Sequence, residues 1–388
     1  MLVEMAMSPW FRARAINQNA SNTGAGATAA NIGVRRLLTP RELEQKTTSL
    51  LGWTWGGDED KKAFWLYDGQ NTTLVDQFGI YYGDIDSNGI KTRSRELTSL
   101  MANVAEKQAA SMACPAVVVD FSRQEKDRLL FNDLSQSTTP ATEFEATVDV
   151  TPESFEDRQT YSTAGSTGSG EKHAFIAFTN DFYDEEIGDR NLRVVALQVR
   201  GPDNIVILEA SLRDFDEIEG AAAGCGDANN ADYNLWSECR ITIPFTASAT
   251  GTYTVEVSAW GQQAGPDPVM MSIGLEDLSY IDGNSTGAAQ IKSKLIDLHK
   301  RFLGESLSLG DEELEMSYLL LVETWQKRSN SGLGSWAWTY PNENCEFYDP
   351  AHWAADGPGS NAQDDNAMMY TWTTMLIYLM TDFYYLHE

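Results

Sequence analysis

Basic residues are scarce in this chain: 28 Lys and Arg stand against 57 Asp and Glu, for a net charge of −29. A surface so acidic repels phosphate backbones, which excludes nucleic acid as a partner. The charge is spread along the chain, so there is no acidic tail. Cysteine is also sparse, with four residues and no C-x-x-C pair or C-x-x-C-H haem attachment. The four histidines, His173, His299, His352 and His387, show neither H-E-x-x-H nor metal-ligand spacing. His299 reads as a packed or solvated histidine on a helix face. Walker and G-x-G-x-x-G loops are missing too, so nothing marks a nucleotide site. The long apolar stretch at 365–386 has no basic flank and carries Asp382 and several threonines. It therefore reads as a buried central helix rather than a membrane span.

What the chain does have is length and apolar content. Its 388 residues suit two or three domains, and 42% hydrophobic residues with 11 Trp suffice for real cores. Cys225 and Cys239 stand close enough to close a short polar loop, and such a bridge adds about 3 kcal/mol by loop-entropy bookkeeping. Cys114 and Cys345 are left to pair or stay free. Disulfides imply an oxidising compartment. Met1 opens directly into LVEMAMSPWF without a charged leader or cleavage site. This reads as part of a longer exported protein, a plain cytoplasmic start being the alternative.

Helical signals sit at both ends. Residues 1–16 place Leu2, Met5, Ala6 and Trp10 on one face, and 17–37 read as a loop. Thr39-Pro40-Arg41-Glu42 is a capping box with Pro at the first helical position, predicting a helix that Gly52 ends. Trp53 and Trp55 read as packed. Asp84, Asp86 and Asn88 open like an EF-hand loop, but Arg95 stands where Glu is needed, which favours a structural turn. A helix is predicted over 95–112 with Leu97, Leu100, Met101, Val104 and Met112 on one side, then a strand-like run at 116–121. Near residue 136 the pattern becomes alternating and β-branched, in runs such as HAFIAF, RITIPF and TYTVEVSAW. Seven or more such runs between Gly, Asp, Asn and Pro clusters predict a β-sandwich. Helices return with Ile291, Leu295, Leu298 and Phe302, then over 311–328 and 365–386. The predicted fold is α+β: a helical domain formed by 1–135 and 281–388, with a sandwich at 136–280 inserted. Paired carboxylates for glycoside cleavage have no sequence signature. Asp349, His352, Trp353, Asp364 and Asp365 form one further polar–aromatic cluster, read as a capped and packed loop.

Residues 178–195, FTNDFYDEEIGDRNLRVV, carry the densest set of oxygen donors between two apolar runs. Carboxylate, amide and backbone oxygens converging from such a loop suit a hard cation such as calcium, which takes six to eight of them at about 2.3–2.6 Å. A solvated acidic turn is the alternative.

The string FTNDFYDEEIGDRNLRV resembles the calcium-dependent xylan-binding modules, carbohydrate-binding module families 36 and 60. The resemblance implies a calcium ion held by Asn180, Asp181, Asp184, Asp189 and Asn191 that contacts vicinal sugar hydroxyls, with Arg190 at the ligand; Phe182 and Tyr183 flank the loop and read as lying against a sugar face, with sandwich core as the alternative for either. Glu186 is a further candidate, and Arg190 and Arg193 would offset the loop's charge. ILEAS (207–211) and ATGTYTVEVSAWGQQAGPDP (249–268) resemble the opening strands of these modules. They follow the Asn-Asp loop rather than precede it, as in a circularly permuted jelly-roll-like sandwich. Trp260 reads as core, and Asp227, Asp232 and Tyr233 as a border to the sugar site.

The flanks, including LLTPRELEQKTTSLLG and IKSKLIDLHKRFLGESL, resemble domains of unknown function that accompany c-type cytochrome modules in large exported planctomycete proteins. That implies cytochrome-bearing or other surface proteins as partners, and no catalytic residues. The expected function is non-catalytic, calcium-dependent binding of a xylan-like polysaccharide in the periplasm, at the cell surface or outside the cell. The alternatives are an assembly protein with a stabilising calcium, and a subunit of an extracellular redox or degradative complex.

Overall fold

The computed structural model describes residues 36–52, 55, 74–86, 89–94, 96–121, 123, 125–223, 226–278, 285–329, 364 and 366–388. The predicted helix at 1–16, Trp53, Asn88, Arg95, Asp349, His352, Trp353 and Asp365 lie outside these.

The first described helix, α1 (Pro40–Leu51), forms where the capping box predicts it. Thr39 accepts from the Glu42 N–H, Glu42 returns to the Thr39 N–H, and Gly52 ends the helix at φ 84°. A glycine there avoids the Cβ clash of the left-handed region. Helix α2 (Ser99–Phe121) is longer than its pattern suggested. It absorbs 116–121, the predicted strand, because Ala116, Val117, Val118 and Phe121 are buried all round. A continuous apolar run has no period to separate a buried helix from a strand. Leu97 and Leu100, assigned to the buried face, are exposed. Asp120 then turns the chain, its carboxylate accepting from the Leu129, Leu130 and Phe131 amides.

After the sandwich come α3 (Thr286–Leu298), which runs on as a π turn over His299–Leu303, and α4 (Glu312–Ser329). The stretch predicted as one last helix is two, α5 (Met368–Thr381) and α6 (Phe383–Leu386), because Asp382 is extended and caps the second through the Tyr384 amide. None of the described helices is long and apolar enough to cross a membrane. One hydrophobic core runs from Leu37 to Ala141 and from Ala288 to Leu386, so both ends of the chain build it together. Backbone hydrogen bonds tie Arg36 to Glu388 and Leu38 to Leu386. His299 is fully buried between Glu305 and Ser317, each 3.0 Å away.

The second core belongs to a sandwich of antiparallel sheets. The strands are β1 (Thr142–Val150), β2 (Gln159–Thr167), β3 (Gly170–Phe178), β4 (Phe182–Asp184), β5 (Gly188–Arg200), β6 (Val206–Ser211), β7 (Ala222–Ala223), β8 (Asp227–Ala228), β9 (Tyr233–Leu235), β10 (Cys239–Ala247), β11 (Gly251–Gln262) and β12 (Val269–Glu276). One sheet has the order β1-β12-β3-β10-β7; the other has β2-β11-β5-β9-β8, with β4 and β6 also paired to β5. Ile176, Ile243, Ile273, Leu197, Val199, Val255 and Val257 fill the space between them. A register shift opposite Ser258 and Ala259 lets β5 keep Leu192 and Val194, then Leu197 and Val199, facing inward. The chain is thus an α+β protein with a β-sandwich between its helical segments.

The five-stranded sheet is buried on both faces. On its outer side Glu145 accepts from Ser137, Ser272 and Thr138, and Arg240 pairs with Glu276 at 2.7 Å. Lys172, on the inner face opposite Phe245 at the margin of the core, pairs with Asp277. Gly274 has no side chain because a Cβ would meet the Phe144 carbonyl oxygen at 2.3 Å and the Phe175 ring at 2.7 Å. The seven-stranded sheet keeps its outer face toward solvent along Thr160, Ser162 and Ala164.

Candidate functional site

The acidic stretch is a hairpin. Tyr183 pairs with Asp189 and Asp184 with Gly188, and Glu185, Glu186 and Ile187 form its exposed tip. The residues expected to hold calcium part company here. Asn180 is buried and engaged with the chain: its amide nitrogen donates to the Pro268 carbonyl at 2.7 Å and its Oδ1 accepts from the Met270 amide at 2.6 Å. Asp181 caps its own strand through the Phe182 amide, and its charge couples to Arg190 and to Glu238. Asp189 and Asn191 do come together, the Asn191 amide donating to Asp189 at 2.9 Å and to Gln262 at 3.3 Å.

Arg190, expected at the ligand, is instead a bracket. It is buried and donates to the Ala264 carbonyl through Nε at 2.9 Å and Nη2 at 2.5 Å, and to the Asn180 carbonyl through Nη1 at 2.8 Å. Burial lowers its pKa, against the pull of Asp267 and Asp181. Phe182 lies against this guanidinium, 5.3 Å away, and against Gly265. Tyr183 is exposed.

The hairpin leads into a second locus on the outer face of the seven-stranded sheet. Trp260, read as core, is half-buried on that face, opposite Arg193 of β5. Its indole N–H donates to Asp232 at 2.9 Å, and the Arg193 guanidinium sits 5.5 Å from its ring centre. Asp232 is buried and also receives Arg193 and Asn229. Arg193 in turn faces Asn234 across β9, and Gln262 faces Asn191. Along this row Asn191 Oδ1, Arg193 Nε and Asn234 Oδ1 are buried without a hydrogen-bond partner. Buried polar atoms are nearly always paired, so a cluster of unpaired ones marks a place where something else can bind. The signal for Trp260 was in the sequence. Tyr253, Val255, Val257 and Ala259 alternate inward, so Trp260 falls in the outward set with Thr254, Glu256 and Ser258.

Other motifs have structural roles. Asp86 accepts from the Gly89 and Ile90 amides and Asp84 pairs with Arg93, which is a turn. Asp364 accepts from the Met369 and Tyr370 amides, and burial raises its pKa. Residues 283–287 spell G-x-S-x-G, but Ser285 is the cap of α3: its hydroxyl donates to Pro140 O and accepts from Ala288 N. Among the described residues no group of three or more His, Cys, Asp or Glu is placed to hold a metal ion. Neither Cys114 nor Cys239 is a free thiol, and Cys225 and Cys345 lie outside the described residues.

No family model and no curated protein matches the chain. Among solved structures, the flagellar cap protein FliD D1-D2-D3 domains from Escherichia coli is 12% identical, over 59% of this chain and 79% of its own. The TM-score of 0.10 is too low to relate the two folds.

Proposed function

We propose that the sandwich is a non-catalytic module that binds a xylan-like polysaccharide on the outer face of its seven-stranded sheet. The observation that carries this reading is the half-buried Trp260 set among Arg193, Asp232 and Asn234. The apolar face of a pyranose packs on an aromatic ring, while its hydroxyls need donors and acceptors close by. The Asp232 bond fixes the indole in place, so little side-chain entropy is lost on binding.

Calcium enters this proposal through Asp189 and Asn191. Asn191 Oδ1 is a buried oxygen with no partner, next to a carboxylate, which fits a hard cation. Asn180 is committed to Pro268 and Met270, so the five-residue set fits only in part. A calcium ion held there would offer coordination to sugar hydroxyls at the end of the row. Calorimetric titration with xylan oligosaccharides, with and without chelator, tests both parts. Binding in calcium that weakens in chelator is the expected result. Equal binding in chelator removes calcium and leaves the glycan, whereas no binding under either condition removes the whole reading.

We place the protein in the periplasm, at the cell surface or outside the cell, with cytochrome-bearing or other surface proteins as partners. We read Cys114 and Cys239, neither of them a free thiol, as disulfide partners of the other two cysteines, which supports an oxidising compartment. The pairing proposed for Cys239 is Cys225. Peptide mapping without reductant is expected to yield one fragment joining them, and a Cys225 thiol that alkylates freely would refute it.

A further inference from the structure

Where the sandwich meets the helical core lies a cavity of about 20 Å³, bordered by Gln136, Thr179, Glu238 and Asn366. Glu238 is 1% exposed, Thr179 5% and Gln136 8%. Both carboxylate oxygens of Glu238, Thr179 Oγ1 and Gln136 Oε1 are buried there without a hydrogen-bond partner. Gln136 and the Asp181 amide approach Glu238 outside hydrogen-bond geometry.

We propose that this cavity is a hard-cation site of the calcium type, in which Glu238, Thr179 and Gln136 supply the oxygens. Carboxylate, hydroxyl and amide oxygens with no sulfur or imidazole are the donors such ions take. The space holds one ion or one water. A water leaves the Glu238 charge uncompensated in the interior, while a cation both takes the oxygens as ligands and balances that charge. The site is separate from Asp189 and Asn191 and does not depend on glycan binding. It joins the two cores: Glu238 and Thr179 belong to the sandwich, while Gln136 accepts, at its backbone carbonyl, the Asn366 side-chain amide at 2.8 Å.

The rival occupant is a proton. Burial, and next the charge of Asp181, push the Glu238 pKa up to about 8, with Arg128 pulling the other way. Arg190 faces the same group from β5. Arg240 also borders the cavity and is engaged with Glu276 and the Ser137 carbonyl. Glu145, whose pKa burial also raises, lies beyond Ser137. Proton and cation therefore compete at Glu238. Cation affinity rises about tenfold per pH unit below the Glu238 pKa and levels off above it.

The test is calorimetric titration of the full chain with calcium chloride at constant ionic strength, at about pH 6, 7, 8 and 9. The expected result is a site whose affinity follows that slope, persists in Asp189→Ala and vanishes in Glu238→Gln, a neutral near-isostere. Thr179→Val, with Glu238 intact, is expected to weaken the same site about tenfold, a second readout if Glu238→Gln fails to fold. Calcium binding that is unchanged in Glu238→Gln, or flat across this pH range, overturns the proposal. So does an absence of any binding, which would leave the proton as the occupant. Loss of the Asp189 site alone counts only against calcium in glycan binding.

Discussion

Asp120→Ala is expected to lower the stability of the helical core by about 3–6 kcal/mol, the cost of leaving two buried amides and one partly buried amide without an acceptor at roughly 1–3 kcal/mol each, less what relaxation recovers. The carboxylate is buried at the end of α2 and receives Leu129 at 2.6 Å, Leu130 at 2.9 Å and Phe131 at 2.8 Å. The turn it holds places Phe131 against Phe121 and Trp372, at the centre of the helical core. Asp120→Asn keeps one acceptor oxygen and is expected to lose less. Urea unfolding followed by tryptophan fluorescence measures both. A change within about 1 kcal/mol for the alanine variant, the size of one ordinary hydrogen bond, would mean that the turn holds without its anchor.

Trp260→Ala is expected to weaken xylan-oligosaccharide binding about thirtyfold or more, the loss of some 2 kcal/mol usual for a central tryptophan anchor. The fold should survive, because the indole lies on the outer sheet face and Asp232 keeps Arg193 and Asn229 when it is gone. Trp260→Phe retains a flat ring without the N–H, so it separates stacking from the Asp232 anchor. If stacking carries the affinity, the phenylalanine variant recovers most of it. Undiminished binding by a folded alanine variant would move the glycan site off this face.

Strands were legible where one face is buried and the other wet. The alternation of Tyr253, Val255, Val257 and Ala259 is the β11 inward face, and the capping box at Thr39 is the start of α1. The run at 116–121 was not legible as helix, because burial on every side erases the period. The acidic stretch was legible as a turn, but its composition could not say where each oxygen goes. Asn180 is drawn to Pro268 and Met270, and Arg190 to Ala264, by a segment over seventy residues away in the chain. Glu238 was invisible for the same reason. One glutamate in an acidic chain acquires meaning only when Gln136 and Thr179, from distant segments, close over it.

The sandwich begins and finishes at the same place. Thr142 and Glu276 are opposite each other in β1 and β12, and the Asp277 amide donates to the Ala141 carbonyl at 3.0 Å. Once the sandwich has folded, it acts on the helical core as a tether a few residues long rather than an excursion of some 135. By chain-closure statistics that difference is worth about 3 kcal/mol to the docking of the two helical halves. The expected order of events is sandwich first, helical core second. Destabilising the sandwich should therefore slow assembly of the helices, while damage to the helices should leave formation of the sandwich untouched.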